Sequence, residues 1–365
     1  MDTRKLIDTH IESAELLPSP ADLIEMLPIS ETAAASVFHG RQAIADIING
    51  HDPRKFVVVG PCSIHDTDAA LEYAGRLRKL AEQVRDRLLL VMRVYFEKPR
   101  TTVGWKGLIN DPFLDGSFHI EKGLFIARQL LLQINEMGLP AGTEALDPIT
   151  PQYISDLVSW YAIGARTIES QTHREMASGL SVPVGLKNGT DGNIKVAIDA
   201  LQASGTPHHF LGINPAGQVS VFRTKGNPYA HIILRGGGGK PNYDTETVSW
   251  VAQKLKERNL PECIVIDCSH GNSNKDHTQQ AQVMRQVVQQ IVAGDRALIG
   301  MMLESHLKSG NQPIAADPSQ LEYGVSITDR CMGWEETEEL ILAAHEQLGK
   351  VPHLTNARSE PLATV

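Results

Sequence analysis

One cysteine, one histidine and two carboxylates lie where the chain turns from apolar to polar, and together they could hold a metal ion. Cys62, His270 and Glu304 each stand at or just beyond the end of a short apolar run, and Asp329 follows the last of these runs. Thiolate, imidazole and carboxylate groups bind divalent transition metals, and this mixed set admits manganese, iron, cobalt, zinc and copper alike. The alternative for Cys62 is a plain core position, because free cysteine is among the most buried residue types.

Positively charged side chains also follow the apolar runs, which is not where a hydrophobic core would place them. They are Arg93, Lys98, Arg100, Arg166, Lys187 and Arg235. Lysine and arginine are rarely buried without a partner, so the alternative is that they extend along a rim into solvent. Cations at the ends of successive parallel strands would instead converge on one mouth. Such a mouth would bind phosphates and carboxylates.

The elements that must position these side chains follow from a repeated pattern of apolar run, polar break and amphipathic stretch. The eight apolar runs are Phe56–Cys62, Leu88–Tyr95, Ala141–Leu146, Ala162–Ile168, Val182–Lys187, His231–Arg235, Cys263–Cys268 and Leu298–Glu304. Helical patterns between them include Asp68–Arg85, Glu121–Met137, Pro151–Tyr161 and Asp244–Glu257. Continuous apolar runs are typical of parallel sheets, and eight alternating βα units predict an α/β fold, a (β/α)8 TIM barrel.

Three further segments lie outside that repeat. The predicted organisation is an N-terminal extension at 1–55, a catalytic barrel at 56–351 with a β-hairpin inserted at about 208–223 between strands five and six, and a tail at 352–365. In the extension, Ser19-Pro20-Ala21-Asp22 predicts a capped short helix and Ala33–Ile48 a longer one. The sequence leaves open whether the extension covers a barrel end or contacts a neighbouring subunit.

Composition restricts the function classes. The formal charge of −9 and pI near 5.9 argue against a nucleic-acid partner. The four cysteines, at 62, 263, 268 and 331, show no dense pairing pattern, which is typical of a reducing compartment and predicts a cytoplasmic protein. The N-terminus lacks the apolar stretch of a signal peptide, and no apolar run reaches the roughly 18 residues of a membrane span, so no membrane partner is expected.

Five motifs in order closely resemble those of type I 3-deoxy-D-arabino-heptulosonate 7-phosphate (DAHP) synthase. They are Gly60-Pro61-Cys62-Ser63-Ile64-His65-Asp66, Met92-Arg93-Val94-Tyr95-Phe96-Glu97-Lys98-Pro99-Arg100-Thr101, Gly164-Ala165-Arg166-Thr167, Gly185-Leu186-Lys187-Asn188-Gly189-Thr190-Asp191-Gly192 and Asp267-Cys268-Ser269-His270-Gly271-Asn272. The resemblance implies a (β/α)8 barrel with an N-terminal extension and an inserted hairpin, a divalent metal, and a homo-oligomer, dimer or tetramer. It also implies the first step of the shikimate pathway, in which phosphoenolpyruvate condenses with erythrose 4-phosphate and water.

The resemblance also assigns roles residue by residue. The implied metal ligands are Cys62, His270, Glu304 and Asp329; the implied phosphoenolpyruvate residues are Arg93, Lys98, Arg166, Lys187 and Arg235; and Arg100 and Thr101 match the site for the phosphate of erythrose 4-phosphate. Lys98, between the two substrate sites, is implied as a general acid, and His270 as a proton relay besides its metal role. The group that activates the water stays open.

Feedback inhibition by an aromatic amino acid is a further implication, with tyrosine the expected effector. The matching effector positions are Asp8, Pro148, Gln152, Leu180, Ser181, Phe210, Gly212 and Phe222. The stretch around Gly212 looks most like the tyrosine-sensitive isoform, and a glycine there leaves room for a phenol hydroxyl. The alternative is that Gly212 serves the backbone of the hairpin, where strand glycines often mark bulges.

Two other functions compete with this one. A synthase that adds phosphoenolpyruvate to a longer sugar phosphate, such as an octulosonate synthase, is disfavoured by Lys98-Pro99-Arg100-Thr101, which resembles the erythrose 4-phosphate site. A non-catalytic effector-binding barrel is disfavoured because every implied metal ligand and every implied cation is retained.

Overall fold

A computed structural model describes residues 6–315 and 317–351, so the predicted tail at 352–365 lies outside the described residues. Ten strands are described: β1 (Lys55–Gly60), β2 (Leu88–Arg93), β3 (Ala141–Glu144), β4 (Trp160–Ile163), β5 (Val184–Lys187), β6 (His209–Ile213), β7 (Val219–Arg223), β8 (Ala230–Leu234), β9 (Ile264–Asp267) and β10 (Leu298–Glu304). Eight of them form a closed parallel barrel in the order β1-β10-β9-β8-β5-β4-β3-β2, and β6 and β7 pair as an antiparallel hairpin. The predicted (β/α)8 barrel with an inserted hairpin is confirmed.

Helices alternate with the barrel strands on the outside. The described α-helices are α1 (Pro20–Met26), α2 (Glu31–Ile48), α3 (Thr67–Val84), α4 (Ile120–Glu136), α5 (Pro151–Ile154), α6 (Gln171–Gly179), α7 (Lys195–Ser204), α8 (Thr245–Glu257), α9 (Gln280–Val292) and α10 (Trp334–Leu348). Asp66 begins α3 by accepting the N–H groups of Asp68 and Ala69, which satisfies backbone donors that have no partner inside the helix. Within the described residues, no helix has both the length and the apolar character needed to cross a membrane.

The inside of the barrel is a separate apolar cluster from the layer between strands and helices. Phe56 and Val58 of β1 lie inside, whereas Val57 and Val59 pack under the outer helices, as the alternation of strand side chains requires. Trp160 fills much of the interior, and Cβ atoms at Gly142 and Gly185 would lie 3.1 and 2.7 Å from its ring. The interior is therefore a packed core below the mouth rather than a channel.

Helix α2 of the N-terminal extension packs against the end of the barrel where the strands begin. Its residues Ile44, Ile47 and Ile48 belong to the same cluster as Phe56 inside the barrel. The carbonyl of Ile48 accepts from the thiol of Cys263 at 3.4 Å, just ahead of β9. This part of the extension therefore closes the end of the barrel opposite the carboxyl ends of the strands.

The prediction for the fourth βα unit is wrong in its boundaries. The expected helix at Pro151–Tyr161 is α5 followed by a 3-10 turn at Ser155–Leu157, and the expected strand at Ala162–Ile168 is β4 at Trp160–Ile163. Trp160 and Tyr161 favour strands, and burial of Trp160 inside the barrel fixes the register. Arg166 consequently lies on the loop after β4.

The hairpin is tied to helix α1. Ser19 caps α1 through a capping box, because its hydroxyl accepts the N–H of Asp22 and the Asp22 carboxylate accepts the N–H of Ser19. The N–H of Ala21 donates to the carbonyl of Pro215 at the hairpin tip, at 2.8 Å. The capped short helix predicted for this segment is confirmed.

Candidate active site

A cavity of about 760 Å³ opens at the carboxyl ends of the barrel strands. Most of the predicted site residues line it: Arg93, Lys98, Arg100, Thr101, Arg166, Lys187, Arg235, His270, Glu304 and Asp329. Cys62 is completely buried beside it. The cavity is in the size range of small-molecule sites, and its position is that of barrel-enzyme active sites.

Three of the four predicted metal ligands come together. One ligand atom each from Cys62, Glu304 and Asp329 lie within 4.8 Å of one another, and the Cys62 Sγ is 3.5 Å from the Asp329 Oδ2. His270 is not within that group, although its Nε2 is 3.8 Å from the Glu304 Oε1. Its Nδ1 lies 3.0 Å from the Asp267 carboxylate and 2.7 Å from the Ser269 hydroxyl. A soft thiolate with carboxylates fits a divalent transition metal better than calcium or magnesium.

The Lys98 ammonium reaches into this group of ligands. Its Nζ donates to the Cys62 Sγ at 3.0 Å and lies 4.0 Å from the Asp329 Oδ2. Burial alone would lower the pKa of Lys98, but Cys62, Glu304 and Asp329 raise it above its ordinary value. Burial, reinforced by Glu304, raises the pKa of the Cys62 thiol to about 11. Metal binding at Cys62 therefore has to displace a proton and compete with Lys98 for the sulfur.

Arg93 is fixed on every side. Its guanidinium donates to the carbonyls of Pro61 and Cys62 at 3.0 and 3.2 Å and to the Glu304 Oε1 at 3.1 Å. It also stacks on the face of Tyr95, with 3.5 Å from the guanidinium carbon to the ring centroid. An arginine held in one orientation presents its remaining N–H groups to a ligand at little further entropic cost.

A second chain of charged groups crosses the floor from β5 to β9. The Lys187 Nζ donates to the Asp267 Oδ2 at 2.7 Å, and the other oxygen of Asp267 accepts from the Ser269 hydroxyl at 2.6 Å. Burial would raise the pKa of Asp267, but Lys187 and His270 hold it well below its usual range. Lys187 is thus a buried cation with a charged partner.

Three arginines complete the positive lining of the cavity. In the part of the chain that the structure describes, Arg100, Arg166 and Arg235 form no ion pair with a carboxylate. Burial lowers the pKa of Arg235, and the neighbouring Arg166 adds to this shift. Arg100 and Thr101 are exposed at the rim, whereas Arg93 and Lys187 are buried at the floor. The positive charge therefore extends from the floor to the rim.

Several lining residues were not among the sequence-predicted site residues. They are Tyr95, Glu144, Ser269, Ser273, Lys275, His277, Gln280, Asn311 and Arg330. Two of them carried a usable signal: Tyr95 lies two positions after Arg93 on an extended chain and so faces the same side, and Glu144 ends β3. Gln280 begins α9 and His277 lies in a 3-10 turn, whereas the others lie on loops whose course the sequence does not specify.

Only some of the predicted effector residues lie close together in the structure. Phe210 and Phe222 stack across the hairpin at 5.8 Å between ring centroids, and a Cβ at Gly212 would lie 3.0 Å from the Phe222 ring. Phe210 also comes within 4.0 Å of a Cβ built at Gly179, next to Leu180 and Ser181. The remaining three are placed as follows: Pro148 is exposed on the loop after β3, Gln152 is half-buried in α5, and Asp8 is exposed with no side-chain hydrogen bond to this group among residues 6–315 and 317–351.

The sequence profile of the DAHP synthetase I family matches residues 26–342. Phospho-2-dehydro-3-deoxyheptonate aldolase, Tyr-sensitive, of Escherichia coli (strain K12) is 54% identical over 348 residues, covering 95% of this chain and 98% of that protein. The Phe-sensitive enzyme of the same organism is 57% identical over 330 residues, covering 90% of this chain and 93% of that protein. Because these identities are so similar, overall identity does not by itself select an effector.

A solved structure has the same architecture. Phospho-2-dehydro-3-deoxyheptonate aldolase from Francisella tularensis SCHU S4 superposes with a TM-score of 0.91 at 48% identity, covering 93% of this chain and 99% of that chain. The similarity therefore spans the barrel, the hairpin and most of the N-terminal extension together.

Proposed function

The chain belongs to the DAHP synthetase I family, and we propose on that premise that the cavity at its barrel mouth condenses phosphoenolpyruvate with erythrose 4-phosphate and water. The products are DAHP and inorganic phosphate, in the first step of the shikimate pathway. The observation that carries the proposal is the meeting of a Cys62, Glu304 and Asp329 cluster with a cavity lined by buried and exposed cations. Such a site matches two phosphorylated substrates, one of which also carries a carboxylate.

The two substrates occupy different depths. Arg93, Lys98, Lys187 and Arg235, which are buried, bind phosphoenolpyruvate together with the exposed Arg166, and burial strengthens the charged hydrogen bonds of the first four. Arg100 and Thr101 bind the phosphate of erythrose 4-phosphate at the exposed rim. The aldehyde end of the sugar then points inward, toward C3 of phosphoenolpyruvate.

Cys62, His270, Glu304 and Asp329 hold the divalent metal. When bound there, the metal supplies Lewis acidity toward a carbonyl oxygen. His270 completes the set by turning its Nε2, already 3.8 Å from the Glu304 Oε1, while Asp267 and Ser269 hold its Nδ1. The donor set leaves manganese, iron, cobalt, zinc and copper open.

Lys98 is the proton donor of the condensation. As C3 of phosphoenolpyruvate bonds to the aldehyde carbon, the aldehyde oxygen gains an electron pair and takes a proton from the Lys98 ammonium. The surrounding charges raise the pKa of Lys98, so the residue is protonated at neutral pH. Water adds at C2 and the C–O bond to phosphate breaks, which releases inorganic phosphate.

The test is a coupled assay with the metal-loaded protein. Phosphate release and loss of phosphoenolpyruvate should depend on erythrose 4-phosphate and on added manganese. Equal or greater turnover with arabinose 5-phosphate would favour the octulosonate reaction, and no turnover with either sugar would favour the non-catalytic barrel. Lys98→Met should lower kcat by roughly 100-fold or more if Lys98 is the general acid.

Regulation and assembly belong to the same proposal. An aromatic amino acid, with tyrosine proposed, binds near the inner face of the hairpin beside Phe210, Gly212 and Phe222. Support comes from the half-buried aromatic pair and from Tyr-sensitive relatives. We also propose a homo-oligomer, because Leu211, Val219 and Val221 expose an apolar face of the hairpin. The free thiols of all four cysteines support a cytoplasmic location.

A further inference from the structure

Tyr95 has a polar atom at the cavity with nothing to bind. The residue is 1% exposed and lines the cavity, and among the described residues its hydroxyl has no hydrogen-bond partner. A buried hydroxyl without a partner carries the free-energy cost of desolvation with no hydrogen bond to offset it. In native structures such groups usually bind a ligand or an ordered water. Because Tyr95 lines the cavity, a molecule that enters the cavity is a candidate partner for this hydroxyl.

The ring of Tyr95 contacts both the apolar interior of the barrel and the charged groups of the cavity. It belongs to the apolar cluster inside the barrel, with Phe56, Val58 and Trp160, and its face carries the Arg93 guanidinium at 3.5 Å from the centroid. The ring therefore cannot swing away to satisfy its hydroxyl elsewhere. Tyr95 stands at the boundary between the packed barrel interior and the polar mouth.

The charged groups around the hydroxyl leave it as a hydrogen-bond donor. Arg93, Glu144, Asp267 and Glu304 face it from four strands. Of these carboxylates, Glu304 is engaged by Arg93 and Asp267 by Lys187. Burial raises the pKa of the Tyr95 phenol, with the carboxylates adding to the shift and Arg93 opposing it. The phenol consequently keeps its proton throughout the working pH range.

We propose that Tyr95 is a further substrate-binding residue, whose hydroxyl donates a hydrogen bond to an oxygen of the bound phosphoenolpyruvate. The inference rests on the proposed function. It follows from burial, because Tyr95 is buried like Arg93 and Lys187, whereas Arg100 and Thr101, the residues proposed for the sugar phosphate, are exposed. An anionic oxygen of the deeper substrate is the strongest acceptor that can reach this position.

A bridging water is the competing occupant. One oxygen of Glu144 is also buried without a partner in the described structure, and Glu144 lines the same cavity. A water between Glu144 and Tyr95 would satisfy both groups. In that case loss of the hydroxyl would affect the chemical step and leave the affinity for phosphoenolpyruvate unchanged.

The decisive variant is Tyr95→Phe, which keeps the ring under Arg93 and removes only the hydroxyl. Binding of phosphoenolpyruvate to the manganese-loaded protein, titrated without the sugar, should weaken roughly 10- to 100-fold, as expected for a lost hydrogen bond to a charged group. The KM for erythrose 4-phosphate should change less than about twofold, and the unfolding temperature should stay within about 2 °C.

Tyr73→Phe is the matched control, because Tyr73 is also completely buried but packs edge-on against Trp334 outside the cavity. It should bind phosphoenolpyruvate like the wild type. Wild-type affinity in Tyr95→Phe would overturn the inference, and if kcat fell at the same time, the water would be the occupant. Absence of turnover in the wild type would instead refute the proposed function, since the binding titration needs no turnover.

Discussion

Cys62 differs from the other cysteines in what surrounds its sulfur rather than in its depth. All four cysteines are buried, but the Cys62 Sγ contacts an ammonium and lies near a carboxylate, whereas Cys263 donates to the carbonyl of Ile48. A sulfur among charged groups is a candidate metal ligand, whereas burial against a backbone carbonyl is what packing alone explains. The two residues therefore make a matched pair for testing the metal site.

Cys62→Ala should reduce bound metal by at least about tenfold, because even groups that only orient a ligand contribute that much to metal affinity. Metal content after dialysis against manganese, measured by mass spectrometry, tests this, and circular dichroism should show an intact fold. Cys263→Ala, which also removes a buried thiol, should keep its metal. Equal metal content in the two variants would remove Cys62 from the ligand set.

A side chain can be placed from sequence where a strand fixes its direction. Arg93 and Lys187 could be placed because each ends a strand and faces the cavity. Lys275 and Arg330 could not, because they lie on loops whose course depends on tertiary contacts. His270 shows an intermediate case: its strand was predicted, but its backbone has a φ of 55°, and this local geometry helps set where the ring lies.

The hairpin is the element in which we expect a small change in sequence to alter regulation. Its inner face carries Phe210 and Phe222, stacked at 5.8 Å between centroids, with Gly212 opposite Ser220. Its tip accepts a hydrogen bond from Ala21 at the start of α1. The hairpin is thus anchored at its tip, and a change on its inner face acts mainly on the stacked aromatic pair.

Gly212→Ser should shift inhibition from tyrosine toward phenylalanine. The new Cβ would lie 3.0 Å from the Phe222 ring, which must shift by a few tenths of an ångström. The serine side chain would also fill the room that the glycine is proposed to leave for the phenol hydroxyl. A single pocket change of this kind alters selectivity by roughly 10- to 200-fold. Inhibition constants for tyrosine, phenylalanine and tryptophan, measured in wild type and variant, give the ratio.

Gly205→Ser is the control for that experiment. Gly205 follows α7, and a Cβ there would come no closer than 3.4 Å to the backbone. Its effector preference should equal that of the wild type. An unchanged effector preference in Gly212→Ser would show that the space at Gly212 for the phenol hydroxyl of tyrosine does not select the effector.

At this scale the strands were easier to predict than their connections. Helix α3 differs from the predicted Asp68–Arg85 by one residue at each end, because an N-cap and a clear apolar face define it. The predicted boundaries of the fourth βα unit are wrong because the apolar spacing of Pro151–Tyr161 is compatible with a helix. In the structure, Trp160 packs inside the barrel between Gly142 and Gly185. A local sequence pattern does not show packing among three neighbouring strands that are separated along the chain.

At the scale of the whole molecule, His231 in the barrel core makes the free energy of unfolding depend on pH, because this histidine is buried in its neutral form. The His231 Nε2 accepts from the Trp160 indole N–H at 3.2 Å, and its Nδ1 lies 3.2 Å from the carbonyl of Tyr229. Complete burial lowers the pKa of His231 from 6.5 to about 4. Protonation would place a second donor against the indole N–H, which can only donate.

The free energy of unfolding should therefore fall as the pH drops from about 6.5 toward 4. Above the unfolded-state pKa of 6.5 the stabilisation by neutral His231 is complete. Below the folded-state pKa of about 4 this stabilisation, about 3 kcal/mol, is lost. Urea unfolding of wild type and His231→Gln at several pH values isolates this contribution, since glutamine can accept from Trp160 without titrating. Parallel pH profiles for the two proteins would contradict the assignment.

Helix α2 sets where the chain can be shortened. Ile44, Ile47 and Ile48 pack with the barrel interior, so the extension predicted at 1–55 has two different parts: residues 6–17 are exposed, and α2 forms the base of the barrel. Under the proposed regulation, removal of the residues ahead of Pro18 takes away Asp8 and should weaken feedback inhibition, while the Tyr153 hydrogen bond to Pro18 and that base stay in place. A cut at the predicted boundary would also remove α2 and expose the apolar base of the barrel to water, so we expect that shorter chain to aggregate.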